Sequence, residues 1–282
     1  MAPPQVWFVT GTSSGFGKEF VLQALSRGDR VIATARSVSK LEDLKKAGAD
    51  ALALDVTASL AEIKRVADEA FDLYGRIDYL INNAGYTQIG GIEETTPEAT
   101  QAQFATNVFG LLNVTRAVLP YMRAQRSGVI ANFSSIGGWG GSAGAGIYCA
   151  SKWAVSGLSE AMTNELADFN IKVCCVEPGY FRSNLLNPGN KLTVQNKIAD
   201  YKGSAVRQGE EALVAANNNQ IGDPKKGVKV IIDVLTGVTG REIPMRLALG
   251  SDAYGVITGK CEATIKLLGE WKDITTPTDL DE

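Results

Sequence analysis

The chain has 282 residues, 45% of them hydrophobic and 21% charged, with a formal net charge of −3. That composition suits one α/β domain with a large core and argues against a surface built for nucleic acid or anionic membrane. Histidine is absent, which removes a histidine general base, the usual serine or cysteine hydrolase triad and His-ligated zinc, so any proton chemistry falls to Tyr, Lys, Asp, Glu or Cys.

Met1 to Gln5 carry neither a basic stretch nor an apolar run, which predicts no signal peptide. No apolar run approaches the ~18 residues of a membrane span. Of the cysteines, Cys174 and Cys175 are adjacent in an apolar run and no CxxC pair exists, so reduced thiols and a cytoplasmic protein are expected.

The first two-thirds of the chain alternate short β-type runs with helical patterns. Val6 to Thr10 reads as a strand and Phe16 to Arg27 as a helix, with Phe16, Phe20, Val21, Ala24 and Leu25 at helical spacing. Arg30–Ala35 and Ala51–Leu54 are the next strands. Ile63, Val66, Ala67, Ala70, Phe71 and Tyr74 form an amphipathic helical stripe. Tyr79–Asn82 is a fourth strand, 98–125 is mostly helical, Gly128–Phe133 is a fifth strand, 148–169 a long helix and 172–177 a sixth strand. Regular alternation of apolar strands with helices predicts a parallel sheet covered on both faces: a single, three-layer α/β/α, doubly wound, Rossmann-like domain whose ligands lie beyond the carboxyl ends of the strands. After Pro178-Gly179 the pattern loosens. Residues 180–219 show helical stretches but no clear strand, 224–235 read as a helix, 245–249 as a last strand, 251–268 as a closing helix, and 275–282 as a polar, acidic tail expected to be disordered.

Thr10-Gly11-Thr12-Ser13-Ser14-Gly15-Phe16-Gly17 joins the first strand to the first helix. Gly11 permits the turn, Gly15 lets backbone approach a pyrophosphate, Gly17 lets the helix pack on the sheet, and the helix N-terminus offers N–H groups to phosphate. The spacing is TGxxxGxG. With Asn82-Asn83-Ala84-Gly85 at the end of the fourth strand, and Asp55 in Leu54-Asp55-Val56, the chain resembles the short-chain dehydrogenase/reductase family. The resemblance implies nucleotide contacts at Gly11, Thr12, Ser14, Gly15, Phe16, Gly17, Asp55, Val56, Asn83, Ala84 and Gly85. The second strand ends Ala35-Arg36-Ser37 with no acid to grip a ribose 2′-hydroxyl. Arg36 there favours a 2′-phosphate, and hence NADP(H) over NAD(H); the alternative is that Arg36 is an ordinary solvated charge.

Tyr148-Cys149-Ala150-Ser151-Lys152 places a phenol and an ammonium one helical turn apart on a shared face. A neighbouring ammonium favours phenolate and lowers the phenol pKa. Ser134-Ser135 ends the fifth strand. The family resemblance assigns the catalytic serine to Ser135, the catalytic asparagine to Asn107, and nicotinamide contacts to Pro178, Gly179 and Ser183, besides Tyr148 and Lys152; Asn107 also reads as a buried side chain satisfying backbone. Ser183 stands where the family usually has Thr. The implied activity is interconversion of a carbonyl compound and an alcohol, with NADP(H) as cofactor and no metal. Substrate contacts are expected from Ser135, Trp139, Tyr180 and Leu185, within 136–139, Tyr86, Gln88 and 180–201, although that apolar stripe also reads as core. Among relatives the chain is similar to larger 17β-hydroxysteroid dehydrogenase-like and carbonyl reductase members. Residues 1–180 read as the cofactor and catalytic core and 181–282 as a substrate lid with C-terminal elements. The resemblance implies a homodimer through 98–125 and 148–169. Two other readings stay open: a non-catalytic NADP(H) sensor, and a hydrolase using Ser135 with Tyr148 and Lys152.

Overall fold

The four residues Val6–Val9 are all buried. Successive side chains leave a strand on opposite sides, so Val6 and Phe8 enter one core while Trp7 and Val9 enter another. The computed structural model describes residues 3–187 and 189–280. Within them the main strands are β1 (Val6–Val9), β2 (Arg30–Ala35), β3 (Asp50–Ala53), β4 (Tyr79–Asn82), β6 (Gly128–Phe133), β7 (Ile171–Pro178) and β9 (Arg246–Leu249). A separate short pair is β5 (Thr87–Ile89) and β8 (Lys191–Thr193). The seven main strands form one sheet in the order β3-β2-β1-β4-β6-β7-β9, every neighbouring pair parallel.

The helices are α1 (Gly15–Ser26), α2 (Glu42–Lys46), α3 (Leu60–Tyr74), α4 (Pro97–Phe104), α5 (Leu111–Gln125), α6 (Gly146–Leu166), α7 (Ala205–Ala216), α8 (Pro224–Leu235) and α9 (Ser251–Thr275). One core lies under α3, α5 and α6, where Ile63, Val66, Val114, Val118, Val155 and Met162 pack with Ile32, Leu80 and Ile130. The other lies under α1 and α8, where Phe20, Val21, Val228 and Ile231 pack with Val31, Ile81 and Val176. The expected three-layer, doubly wound architecture is present. The strand order turns back at β1, which opens a crevice at the carboxyl ends of β1 and β4, where such folds bind ligands.

Two local expectations are corrected and a third is refined. First, 180–219 does contain a strand: β8 pairs with β5 from Thr87↔Lys191 to Ile89↔Thr193. Segments of three residues carry no legible period, and their pairing depends on a partner about a hundred residues away. Second, 98–125 is mostly helical, as expected, with one interruption. A π-helical turn, Ala105–Gly110, separates α4 from α5. Here Gly110 approaches Val56 so closely that a Cβ would lie 2.8 Å from the valine Cγ2. Third, α9 continues to Thr275, and turn residues follow to 280; the last two residues of the tail expected to be disordered lie outside the described residues.

The start of α7 and the loop before it are held by charge. Glu94, its side chain fully buried, pairs with Arg207 at the start of α7. Arg207 also meets Glu210 at 2.9 Å, Lys197 meets Glu210 at 2.7 Å, and the Ile198 N–H donates to Glu94 at 2.7 Å. The Arg207 guanidinium beside Glu94 holds its carboxyl down at about 2, so the anchor stays ionised wherever the protein is folded under ordinary conditions.

Candidate active site

The turn from β1 into α1 is built on the end of β4. Gly11 and Gly15 have φ of +68° and +57°, conformations a side chain resists. A Cβ on Gly11 would fall 2.9 Å from the Ala84 Cα. Asn83 Nδ2 donates to the carbonyls of Thr10 and Gly11, each at 3.0 Å, and the Thr10 hydroxyl accepts from the N–H groups of Asn83 and Ala84. Ser14 precedes α1 with an extended backbone and no side-chain cap, and no acid lies in the first turn. The N–H groups and positive dipole end of α1 therefore remain available to an anion.

A cavity of about 910 Å³ runs from this turn across the carboxyl edge of the sheet. Gly11, Ser14, Gly15, Phe16, Arg36, Asp55, Val56, Asn83, Ala84 and Gly85 line one part; Ser135, Tyr148, Lys152, Pro178, Gly179 and Ser183 line the rest. Two expected cofactor contacts do not reach it. Thr12 is buried, its hydroxyl donating to the Thr34 carbonyl at 3.1 Å. Gly17 lies behind the turn, where a Cβ would come 2.4 Å from the Gly11 carbonyl oxygen; its role is close packing. Arg36 is exposed just beyond β2. Asp55 folds back on Thr57, accepting from its N–H at 2.9 Å and its hydroxyl at 2.7 Å.

At the reacting end, α6 starts two residues before Tyr148. Lys152 Nζ lies 5.7 Å from the Tyr148 ring centre and donates to the Phe133 carbonyl at 2.7 Å. Ser135 Oγ accepts from the Gly137 N–H at 3.1 Å, which leaves its own hydrogen free to donate. Ser134 is engaged elsewhere: its hydroxyl meets the Lys152 carbonyl at 2.9 Å and Ser156 Oγ at 2.8 Å. Burial pushes the Tyr148 phenol up to about 12. The Ser135 hydroxyl opposes this, Cys149 and Tyr180 add to it, and the Thr87 hydroxyl opposes it. Burial also pushes the Lys152 ammonium down to about 8. The expected lowering of the phenol by Lys152 is not seen among the protein's own groups: burial dominates, and the ammonium is directed at the Phe133 carbonyl.

Asn107 sits in the π-helical turn and does not line the cavity. Its Oδ1 accepts from the Tyr86 N–H at 3.1 Å, and its Nδ2 donates to the Tyr86 carbonyl at 3.1 Å and Ser151 Oγ at 3.2 Å. The side chain is fully used in tying the strand after β4 to α6. Trp139 also departs from expectation: its ring lies under the Arg246 guanidinium, 3.9 Å from the ring centre, and it is not a cavity residue. Cation–π contact with β9 turns it away. Gln88 is buried and does not line the cavity either; its Nε2 donates to the Ile89 carbonyl at 3.5 Å. Tyr180 and Leu185 do line the cavity, as does Leu192 within the expected 180–201 segment; Thr87, Leu213 and Val256 also line it and were not anticipated. The one signal for them is weak: Thr87 closely follows Asn82-Asn83-Ala84-Gly85, whereas the other two come from α7 and α9. The four cysteines are free. Among the described residues no helix is long and apolar enough to cross a membrane.

A glycine-built anion cradle continuous with a buried phenol and ammonium, on a doubly wound sheet, places the protein among the α/β oxidoreductases. Within that class the chain belongs to the short chain dehydrogenase family, whose model it matches over residues 5–192. It is similar to a solved short-chain dehydrogenase from Streptomyces avermitilis, with a TM-score of 0.89 and 41% identity, over 98% of this chain and 100% of that one. It is 43% identical to the 3-ketodihydrosphingosine reductase of Bacteroides thetaiotaomicron over 206 residues, 72% of this chain and 74% of the relative. A metagenomic short-chain oxidoreductase solved with NADP is similar over 62% of this chain and 82% of that one, with a TM-score of 0.59 and 35% identity.

Proposed function

We propose that the protein is an NADPH-dependent oxidoreductase that interconverts a hydrophobic ketone or aldehyde and its alcohol, with Tyr148 as the acid/base. The observation that carries this reading is the single cavity joining the β1–α1 turn to Tyr148, Lys152 and Ser135. The turn and the α1 N-terminus fit a pyrophosphate, and Arg36, with no acid beside it, fits a 2′-phosphate. NADP in a solved relative supports the same choice.

Bound NADPH supplies the hydride and its electron pair to the carbonyl carbon. Ser135 donates a hydrogen bond to the carbonyl oxygen as negative charge develops there. Tyr148, protonated at neutral pH, transfers its Oη proton to that oxygen and is left as phenolate, so the product is the neutral alcohol. Lys152 would hold the nicotinamide ribose of bound NADPH and, as ammonium, would favour that phenolate. The family resemblance places Ser183 on the nicotinamide side, and Asn107 holds Tyr86 and α6 in register behind the site.

Tyr180, Leu185, Leu186, Leu192, Leu213 and Val256 give the substrate end apolar walls. A relative named for reduction of a long-chain keto compound agrees with an extended apolar substrate. Residues 1–180 supply the cofactor and catalytic sides and 181–282 the lid, while α8 and β9 complete the common sheet and core. A cytoplasmic setting belongs to the same reading, as does a homodimer through 98–125 and 148–169, where Phe109 and Trp153 are exposed.

Incubation with NADPH and a panel of ketones and aldehydes is expected to consume NADPH with at least one apolar member. Tight NADPH binding without consumption across the panel would instead identify a sensor. A second expectation concerns pH. Lys152 is charged below about 8 and neutral above, so kcat/KM for NADPH, a property of the free enzyme, is expected to fall as pH rises through that value. Lys152→Arg, which cannot lose its charge there, should lack this alkaline limb; a limb unchanged in that variant would assign it to another group.

A further inference from the structure

We propose that the Thr87 hydroxyl is a further catalytic group that donates a hydrogen bond to the Tyr148 oxygen, opposite Ser135, and stabilises the phenolate left after proton transfer. The inference rests on the reading of Tyr148 as acid/base.

Thr87 is 3% exposed and lines the cavity, yet its Oγ1 is one of the few buried side-chain oxygens with no hydrogen-bond partner among the described residues. A buried hydroxyl left unpaired costs free energy unless something completes it. The backbone around it is held from three directions. Asn107 and Gln103 both bind the Tyr86 carbonyl, Asn107 also takes the Tyr86 N–H, and Gln103 takes the Gln88 N–H. The Thr87 N–H donates to the Asn190 carbonyl at 3.1 Å. Asn107 further reaches Ser151 on α6, one turn of helix from Tyr148. The two strands and the helix are therefore registered to each other, and the backbone that carries the hydroxyl is fixed on the wall of the cavity that Tyr148 also lines. Its influence on the phenol has the same sign as that of Ser135: both oppose the upward push of burial. A donor held in place without reorganisation is the arrangement that stabilises charge formed only during reaction. The simpler alternative is that Thr87 serves only as a β-branched strand residue. Valine would fill that role equally well, and serine would not.

The test reads Tyr148 ionisation directly, without substrate. 3-Fluorotyrosine is incorporated at the eight tyrosines, and the Tyr148 resonance is assigned by its loss in Tyr148→Phe. Its 19F shift is then titrated in the otherwise natural chain, in Thr87→Val, Thr87→Ala and Thr87→Ser. The proposal expects the midpoint to move up by about one pH unit in the valine and alanine variants, the loss of one hydrogen bond to a charged group, and to stay in place with serine. Midpoints that are the same in all four proteins, or that move equally with serine, overturn it. The reading of Tyr148 itself is tested separately by turnover of Tyr148→Phe. Activity in that variant would remove the acid/base assignment whatever the titrations show.

Discussion

Tyr148→Phe is expected to lower kcat for carbonyl reduction by about 10²- to 10⁴-fold, the usual contribution of a positioned general acid, while NADPH affinity stays within a few-fold of the parent. The change removes one oxygen from a ring packed against the start of α6 and leaves Lys152 bound to the Phe133 carbonyl. Nothing in the β1–α1 turn or around Arg36 depends on that oxygen. Burial raises the phenol to about 12, so the proton is present throughout the neutral range and its transfer depends on alignment rather than on bulk pH. A group of this kind contributes to the transition state and little to cofactor binding, which predicts loss of kcat with an unchanged dissociation constant. Single-turnover rates with NADPH and fluorescence titration of NADPH measure the two quantities. Substantial residual turnover would show that another group supplies the proton.

Arg36→Asp is expected to shift the ratio of kcat/KM for NADPH over NADH by about 100-fold toward NADH, combining a lost charge-assisted contact with a new like-charge repulsion. Arg36 is exposed at the end of β2, makes none of the salt bridges among the described residues, and borders the same cavity as Asp55 and Val56. The fold therefore tolerates the exchange. The new carboxylate stands where a doubly wound fold grips a ribose 2′-hydroxyl. Steady-state kinetics with both nucleotides gives the ratio directly. An unchanged ratio would move the 2′-phosphate to another cation, of which the exposed Lys40 is the next along the chain.

What could be read locally was read well. The stripe on α3 is a matter of 3.6-residue spacing, and its ends are marked by a capping box between Ser59 and Glu62 and by Gly75 at φ +67°. The two-sided burial of β1 follows from four apolar residues in a row. The glycine turn is legible because close backbone approach excludes a Cβ, and the Tyr148–Lys152 pairing because residues four apart share a helical face. The placement of Trp139 was not legible, since its partner Arg246 lies in the last strand of the sheet. The Thr12 side chain is turned inward for the same reason: its hydroxyl is taken by β2, which its own neighbours do not reveal.

From sequence alone came the layers, the strand ends and the residue types able to do the chemistry, because each depends on periodicity, capping or spacing within a few residues. Tertiary structure alone decided which of those residues face the cavity and how far burial displaces the Tyr148 and Lys152 proton equilibria. Those properties depend on desolvation and hydrogen bonding by segments far apart in the chain, as when Asn107 binds both Tyr86 and Ser151, and no local pattern encodes such distances.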